Sequence, residues 1–213
     1  MTTESFSDTE FVVRTIAQTC VDNEKEFGDL DSVVGDGDFG YSLARGFEIV
    51  LKDWNSYDRA DIGTFLQKIA VAITSRIGGT SGPIWGTAFI RAGGVAKGKD
   101  ALTGDDVVAM LRAAIEGIKA RGNAEVGDKT LLDALVPMTD SIEASVASGA
   151  DAAGTISAAA SAARAAADAT TTMQARRGRA SYSGERSIGS PDAGAVAVAV
   201  LLERLDTVWA TKP

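Results

Sequence analysis

The stretch A-D-A-A-G-T-I-S-A-A-A-S-A-A-R-A-A-A-D-A, residues 150–169, decides the fold. Its alanine content can pass for low complexity. Alanine is also the best helix former, and a helix of small side chains lets neighbouring backbones approach closely, so the segment reads as a tightly packed helix. Outward from it, apolar residues recur at helical spacing in almost every long segment. Runs of alternating Val, Ile and Thr bounded by hairpin turns are missing. The chain is therefore predicted to be all-α, with helices near 7–28, 40–54, 60–77, 82–97, 103–121, 130–148, 152–172 and 192–210. Short connections between eight helices imply antiparallel neighbours. Capping residues support three of the starts: Asp61 with Thr64, Thr103 with Asp105 and Asp106, and Asp128 to Thr130. No repeat stands out beyond the helix-loop rhythm.

A length of 213 residues suits one domain, 1–213, with a core of ordinary size. Twenty-one basic and 29 acidic residues leave a net charge of −8, which disfavours nucleic acid and anionic membranes as partners. The single Cys20 excludes an internal disulfide and a cysteine-based zinc site. No leader pattern or membrane-length apolar run is present, so a cytoplasmic location is expected. The absence of histidine removes imidazole bases, His-dependent triads, phosphohistidine and His-ligated metals from this polypeptide. Chemistry here must run on carboxylates, backbone donors and arginines.

Leu30-Asp31-Ser32-Val33-Val34-Gly35-Asp36-Gly37-Asp38-Phe39-Gly40 concentrates three carboxylates and three glycines between two helical stretches. Gly35 and Gly37 permit positive φ and close approach, allowing Asp31, Asp36 and Asp38 to converge on a hard divalent cation, Mg²⁺ or Ca²⁺. Mg²⁺ so held keeps open positions for phosphate oxygens, which makes a nucleotide the first guess; the alternative is a solvated acidic turn that caps the next helix. The EF-hand spacing is absent. Gly78-Gly79-Thr80-Ser81-Gly82-Pro83 and Gly127-Asp128-Lys129-Thr130 each open a helix with free amides, as an anion cradle or as plain caps. Neither is a Walker A loop. Arg176, Arg177, Arg179 and Arg186 lie in a long polar connection before the last helix, readable as a lid over phosphates or as a solvated loop.

Together, L-D-x-x-x-G-D-G-D-x-G, G-G-T-S-G-P, G-D-K-T-L-L-D-A-L-x-P and G-R-A-S-Y-x-G-E-R-S-I-G, in this order, resemble the nucleotide-binding L subunit or domain of dihydroxyacetone kinases over nearly the whole chain. The resemblance implies an eight-helix antiparallel up-and-down barrel with ADP or ATP at one end, bound through two Mg²⁺ ions. Carried over by position, Asp31, Asp36 and Asp38 are the metal ligands. Phe39, Gly40, Tyr41 and Ser42, with Thr80 and Ser81, line the nucleotide site, and Gly122, Leu131, Arg179 and Asp192 complete it. The chain departs from the family at Phe39, where histidine is common, and in the turn Gly189-Ser190-Pro191-Asp192-Ala193-Gly194, which usually reads G-H-x-D-P-G. Phe39 either packs on the nucleotide or fills the space of an imidazole.

The resemblance further implies that a separate K subunit holds dihydroxyacetone, or a related small ketose, on a histidine, so this chain supplies the nucleotide half and is inactive alone. ATP either exchanges as a cosubstrate, or ADP stays bound and is rephosphorylated by a phosphotransferase-system protein. Two other classes fit the same motifs: a nucleotide sensor that binds a partner without phosphoryl transfer, and a helical scaffold with a structural cation.

Overall fold

The computed structural model describes residues 4–79 and 81–212. Thr80 lies outside the described residues. Nine α-helices form among them: α1 (Phe6–Asp22), α2 (Glu24–Ser32), α3 (Phe39–Lys52), α4 (Ile62–Arg76), α5 (Ser81–Val95), α6 (Gly104–Gly122), α7 (Leu132–Ala147), α8 (Ala152–Ala169) and α9 (Ala193–Val208). The all-α expectation holds. Two-residue strands β1 (Glu4–Ser5) and β2 (Ala101–Leu102) pair antiparallel and tie the start of α1 to the α5–α6 connection.

The helix expected over 7–28 is two helices. At Asn23 the backbone leaves helical geometry (φ −103°, ψ 19°), and the residue closes α1 by donating to the Thr19 carbonyl twice, from its N–H at 3.1 Å and from its side-chain amide at 2.8 Å. Capping follows the sequence at α4, where Asp61 accepts from Thr64 N–H at 2.7 Å, and at α6, where Thr103 and Asp106 form a reciprocal box. At α7 it does not. Asp133, inside the helix, reaches back to accept from Gly127 N–H at 2.5 Å and Thr130 N–H at 2.7 Å. Amides read as a possible anion cradle are thereby already satisfied.

Counting α1 and α2 as one bent member, each helix packs on the next in sequence, and α9 closes the ring on α1. The alanine-rich α8 buries Ala159, Ala163 and Ala167, one residue per turn, against α7 and α9, where Ala195, Ala199 and Ala134 are also buried. In such an up-and-down ring every second connection shares an end. The α2–α3, α4–α5, α6–α7 and α8–α9 connections therefore gather at one end. At the other, Phe6, Trp54, Tyr57 and Phe65 form an aromatic cluster, with centroids 5.5 Å apart for Trp54 and Phe65.

Candidate functional site

The α2–α3 connection builds an acidic cluster. Asp31 is on the last turn of α2, Asp36 is in the loop and Asp38 precedes the first turn of α3; carboxylate oxygens of the three lie within 4.8 Å of one another. The glycines make this possible for different reasons. Gly37 adopts φ +76°, a region costly for other residues. A Cβ on Gly35 would stand 2.3 Å from Asp31 Oδ1, so only glycine leaves that carboxylate in place. Gly40 lets α3 lie on α2, since its Cβ would stand 2.0 Å from the Glu24 carbonyl oxygen.

Burial and the neighbouring Asp31 charge push the Asp38 carboxyl above its ordinary value. Three convergent carboxylates repelling one another form a hard-oxygen donor set that suits Mg²⁺ or Ca²⁺ and excludes the soft ligands zinc prefers. Here the opposing charge is Arg179, whose guanidinium pairs with Asp36 and, at 2.8 Å, with Asp38. Half of the Arg179 side chain is exposed, so solvent screens this contact.

The long α8–α9 connection thus reaches across the site. Ser183 Oγ donates to the Val34 carbonyl at 3.2 Å, and Arg179 lies 3.9 Å from where a Cβ on Gly79 would stand, placing the α4–α5 junction beside it. Its stem is held at the α6–α7 junction. Arg177 Nε donates to Asp128 at 3.1 Å, and Arg176 N–H donates to the Asp128 carbonyl. Lys129, 2% exposed, donates from Nζ to the carbonyls of Met173 at 3.0 Å, Ser190 at 2.7 Å, and Ser187. Sequence reading missed these anchors, although G-D-K-T was on the page. No local signal in the sequence marks them, since the unusual φ of Lys129, +62°, shows only in the folded chain.

The other expected site residues divide into two groups. Phe39 N–H points at Asp31 Oδ2 (3.4 Å), while its ring packs toward the core against Phe27, with centroids 6.1 Å apart. Ser42 N–H continues the helix to the Asp38 carbonyl. Tyr41 is exposed, with Arg45 over its ring at 5.2 Å, and Ser81 opens α5. Leu131 and Asp192 meet at Gly194 elsewhere on the same end, and Gly122 is the last residue of α6 there. A Cβ on Gly122 would meet Ile84 at 3.3 Å, and both Leu131 and Asp192 crowd Gly194. Asp192 caps α9 by accepting from Ala195 N–H at 2.8 Å. Burial, with the Asp133 charge adding to it, raises its carboxyl to about 7 despite the helix amides and Lys129.

The DAK2 domain family model matches residues 33–207. The chain is 41% identical over 176 residues to the PEP-dependent dihydroxyacetone kinase, ADP-binding subunit DhaL, of Escherichia coli, covering 83% of this chain and 84% of that one. It is 40% identical over 198 residues to L-erythrulose 1-kinase of Mycolicibacterium smegmatis, covering 91% of this chain but 34% of that protein. The crystal structure of the dihydroxyacetone kinase from C. freundii in complex with AMP-PNP and Mg²⁺ superposes with a TM-score of 0.74 at 27% identity, covering 92% of this chain and 33% of that one. The chain therefore spans about a third of these last two relatives.

Proposed function

The chain belongs to the DAK2 domain family, and from that membership and the geometry above we propose that it is the nucleotide-binding subunit of a dihydroxyacetone-type kinase. The observation that carries this reading is the convergence of Asp31, Asp36 and Asp38 within 4.8 Å, at the barrel end where Arg179 also arrives. The three aspartates would hold Mg²⁺, two ions by the resemblance, which supplies charge neutralisation on the nucleotide phosphates. Arg179, already at the cluster, adds a guanidinium whose planar donors match phosphate oxygens. By the resemblance, Phe39 to Ser42 with Thr80 and Ser81 would line the phosphate and nucleoside site, and Gly122, Leu131 and Asp192 would complete it.

Phosphoryl transfer of this kind depends on positioning and electrostatic stabilisation more than on covalent chemistry. The chain has the residues for both and no histidine. The ketose, dihydroxyacetone or a related one, is accordingly assigned to a separate K subunit, and the assembly to the cytoplasm. No helix among the described residues is long and apolar enough to cross a membrane.

Resident ADP, rephosphorylated in place by a phosphotransferase-system protein, is favoured over exchanging ATP. Relatives matched over most of their own length, in E. coli, Listeria innocua and Lactococcus lactis, are ADP-binding subunits named as dependent on PEP or the PTS. The test is to release and identify the nucleotide from the purified chain, then repeat binding with Mg²⁺ and with Asp36→Ala. Tightly held ADP that is lost in the variant is the expected result. Weak, exchangeable ATP returns the cosubstrate mode, and no Mg²⁺-dependent nucleotide binding at all overturns the kinase reading.

A further inference from the structure

Among the described residues no carboxylate hydrogen-bonds to Lys129, a buried cation. An ammonium has three N–H donors, and all three are spent on the neutral carbonyls of Met173, Ser187 and Ser190. Burial accordingly drives its pKa down, with Asp192 the charge that opposes the shift. Enclosing a cation this way is costly, and hydrophobic residues of similar volume commonly serve stability as well. A role confined to filling space therefore explains the residue poorly.

The three acceptors have one thing in common: they flank Arg179. Met173 lies before it and Ser187 and Ser190 after it, so a single point charge closes the stem of the loop whose tip delivers the guanidinium to Asp36 and Asp38. Within that stem Ser187 Oγ accepts from Ala175 N–H at 2.9 Å, and Gly189 N–H donates to the Thr171 carbonyl at 2.8 Å. Beyond the stem, the tip meets the acidic loop through Arg179 and through Ser183 on Val34. The arrangement demands a compact tetrahedral donor, because a planar guanidinium does not direct three N–H groups at three carbonyls converging on one atom.

We propose that Lys129 is a positioning residue for phosphate binding, acting through Arg179 by holding both arms of the α8–α9 connection. This rests on the nucleotide reading above, and two measurements on the full chain separate the two. The first is amide hydrogen exchange without nucleotide. Lys129→Met should lose protection across 173–190 while α3 to α6 keep theirs. The second is a double-mutant cycle on Mg²⁺-dependent ADP binding. Lys129→Met and Arg179→Ala should each weaken ADP by about tenfold or more, and the double variant should be no weaker than Arg179→Ala alone.

Additive losses, or unchanged protection of 173–190, overturn the inference. Should Lys129→Met fail to fold, Lys129→Arg, which keeps the charge, is read the same way and is expected not to rescue; wild-type ADP affinity in Lys129→Arg refutes the geometric argument. Absence of ADP binding by the unsubstituted chain refutes the nucleotide reading itself, whereas ADP binding that Lys129→Met leaves unchanged refutes only the role of Lys129.

Discussion

Replacing Gly40 by alanine sets two effects of known size against each other. In a helix interior alanine is favoured over glycine by about 1 kcal/mol, and by less in the first turn, where Gly40 lies. Against that gain, the new Cβ would stand 2.0 Å from the Glu24 carbonyl oxygen and 2.5 Å from the Gly28 nitrogen, where ordinary contact begins at 3.4 Å. Both obstacles are backbone atoms of α2 and cannot rotate aside. Relief requires α2 and α3 to separate by about 1 Å, and overpacking of that kind costs about 1–3 kcal/mol. The clash should win, with a net loss of about 1–2 kcal/mol in urea unfolding.

The same separation pulls Asp31, which rides on α2, away from Asp36 and Asp38, so Mg²⁺ or Mn²⁺ titrated by calorimetry should also bind more weakly. Gly94→Ala is the internal control. That helical glycine in α5 is exposed and its Cβ would meet nothing within 4 Å, so the propensity gain should appear as a stabilisation of about 0.5–1 kcal/mol. If Gly40→Ala proves as stable as the parent, the tight α2–α3 approach is not what holds the acidic loop, and the reasoning fails.

Two further outcomes are expected. Asp192→Asn keeps the cap on α9 but removes a carboxyl whose folded pKa, about 7, lies above its unfolded value of roughly 3.9. A raised carboxyl contributes stability below the unfolded pKa and loses it as pH climbs through the folded one. The nucleotide-free variant should therefore gain on the parent between about pH 4 and pH 7, by at most about 4 kcal/mol, and by less where solvent reaches the partly exposed carboxyl; parallel stability curves across that range refute the shift. Arg179→Gln removes the cation now paired with Asp36 and Asp38, so divalent-ion binding without nucleotide should tighten by a few-fold while ADP binding weakens. Weakening of both would show that Arg179 supports the acidic loop and does not compete for it.

The helices were legible because burial imposes their period, and α8 most of all, since Ala159, Ala163 and Ala167 face α7 and α9 as a stripe of small residues should. The break at Asn23 was not, because apolar spacing continues past it and only the backbone geometry at that residue, φ −103° and ψ 19°, marks the end of α1. At the site, Asp31, Asp36 and Asp38 were readable because chemistry and conformation coincide in one short segment. Lys129 was opaque for the opposite reason. Its partners lie 44 to 61 residues away, and nothing local distinguishes a lysine that solvates its charge from one that gathers carbonyls. Phe39 was open between two roles, and its contact with Phe27 places the ring on the core side of α3.

The ring closure has a consequence for attachment. The chain enters along β1 and leaves after α9 at the end opposite the acidic cluster, where Lys212 Nζ reaches Asp8 at 2.7 Å. Anything joined to either side starts a full barrel length from the phosphates: α9 has 16 residues, so the distance is about 24 Å. A flexible connector needs roughly eight extended residues merely to return to the site end, and shorter ones keep a fused neighbour off it. Because the two sides adjoin, linking them and reopening the chain in the 148–151 turn should preserve the ring, so connector length and point of attachment become adjustable controls on how often a tethered partner meets the nucleotide.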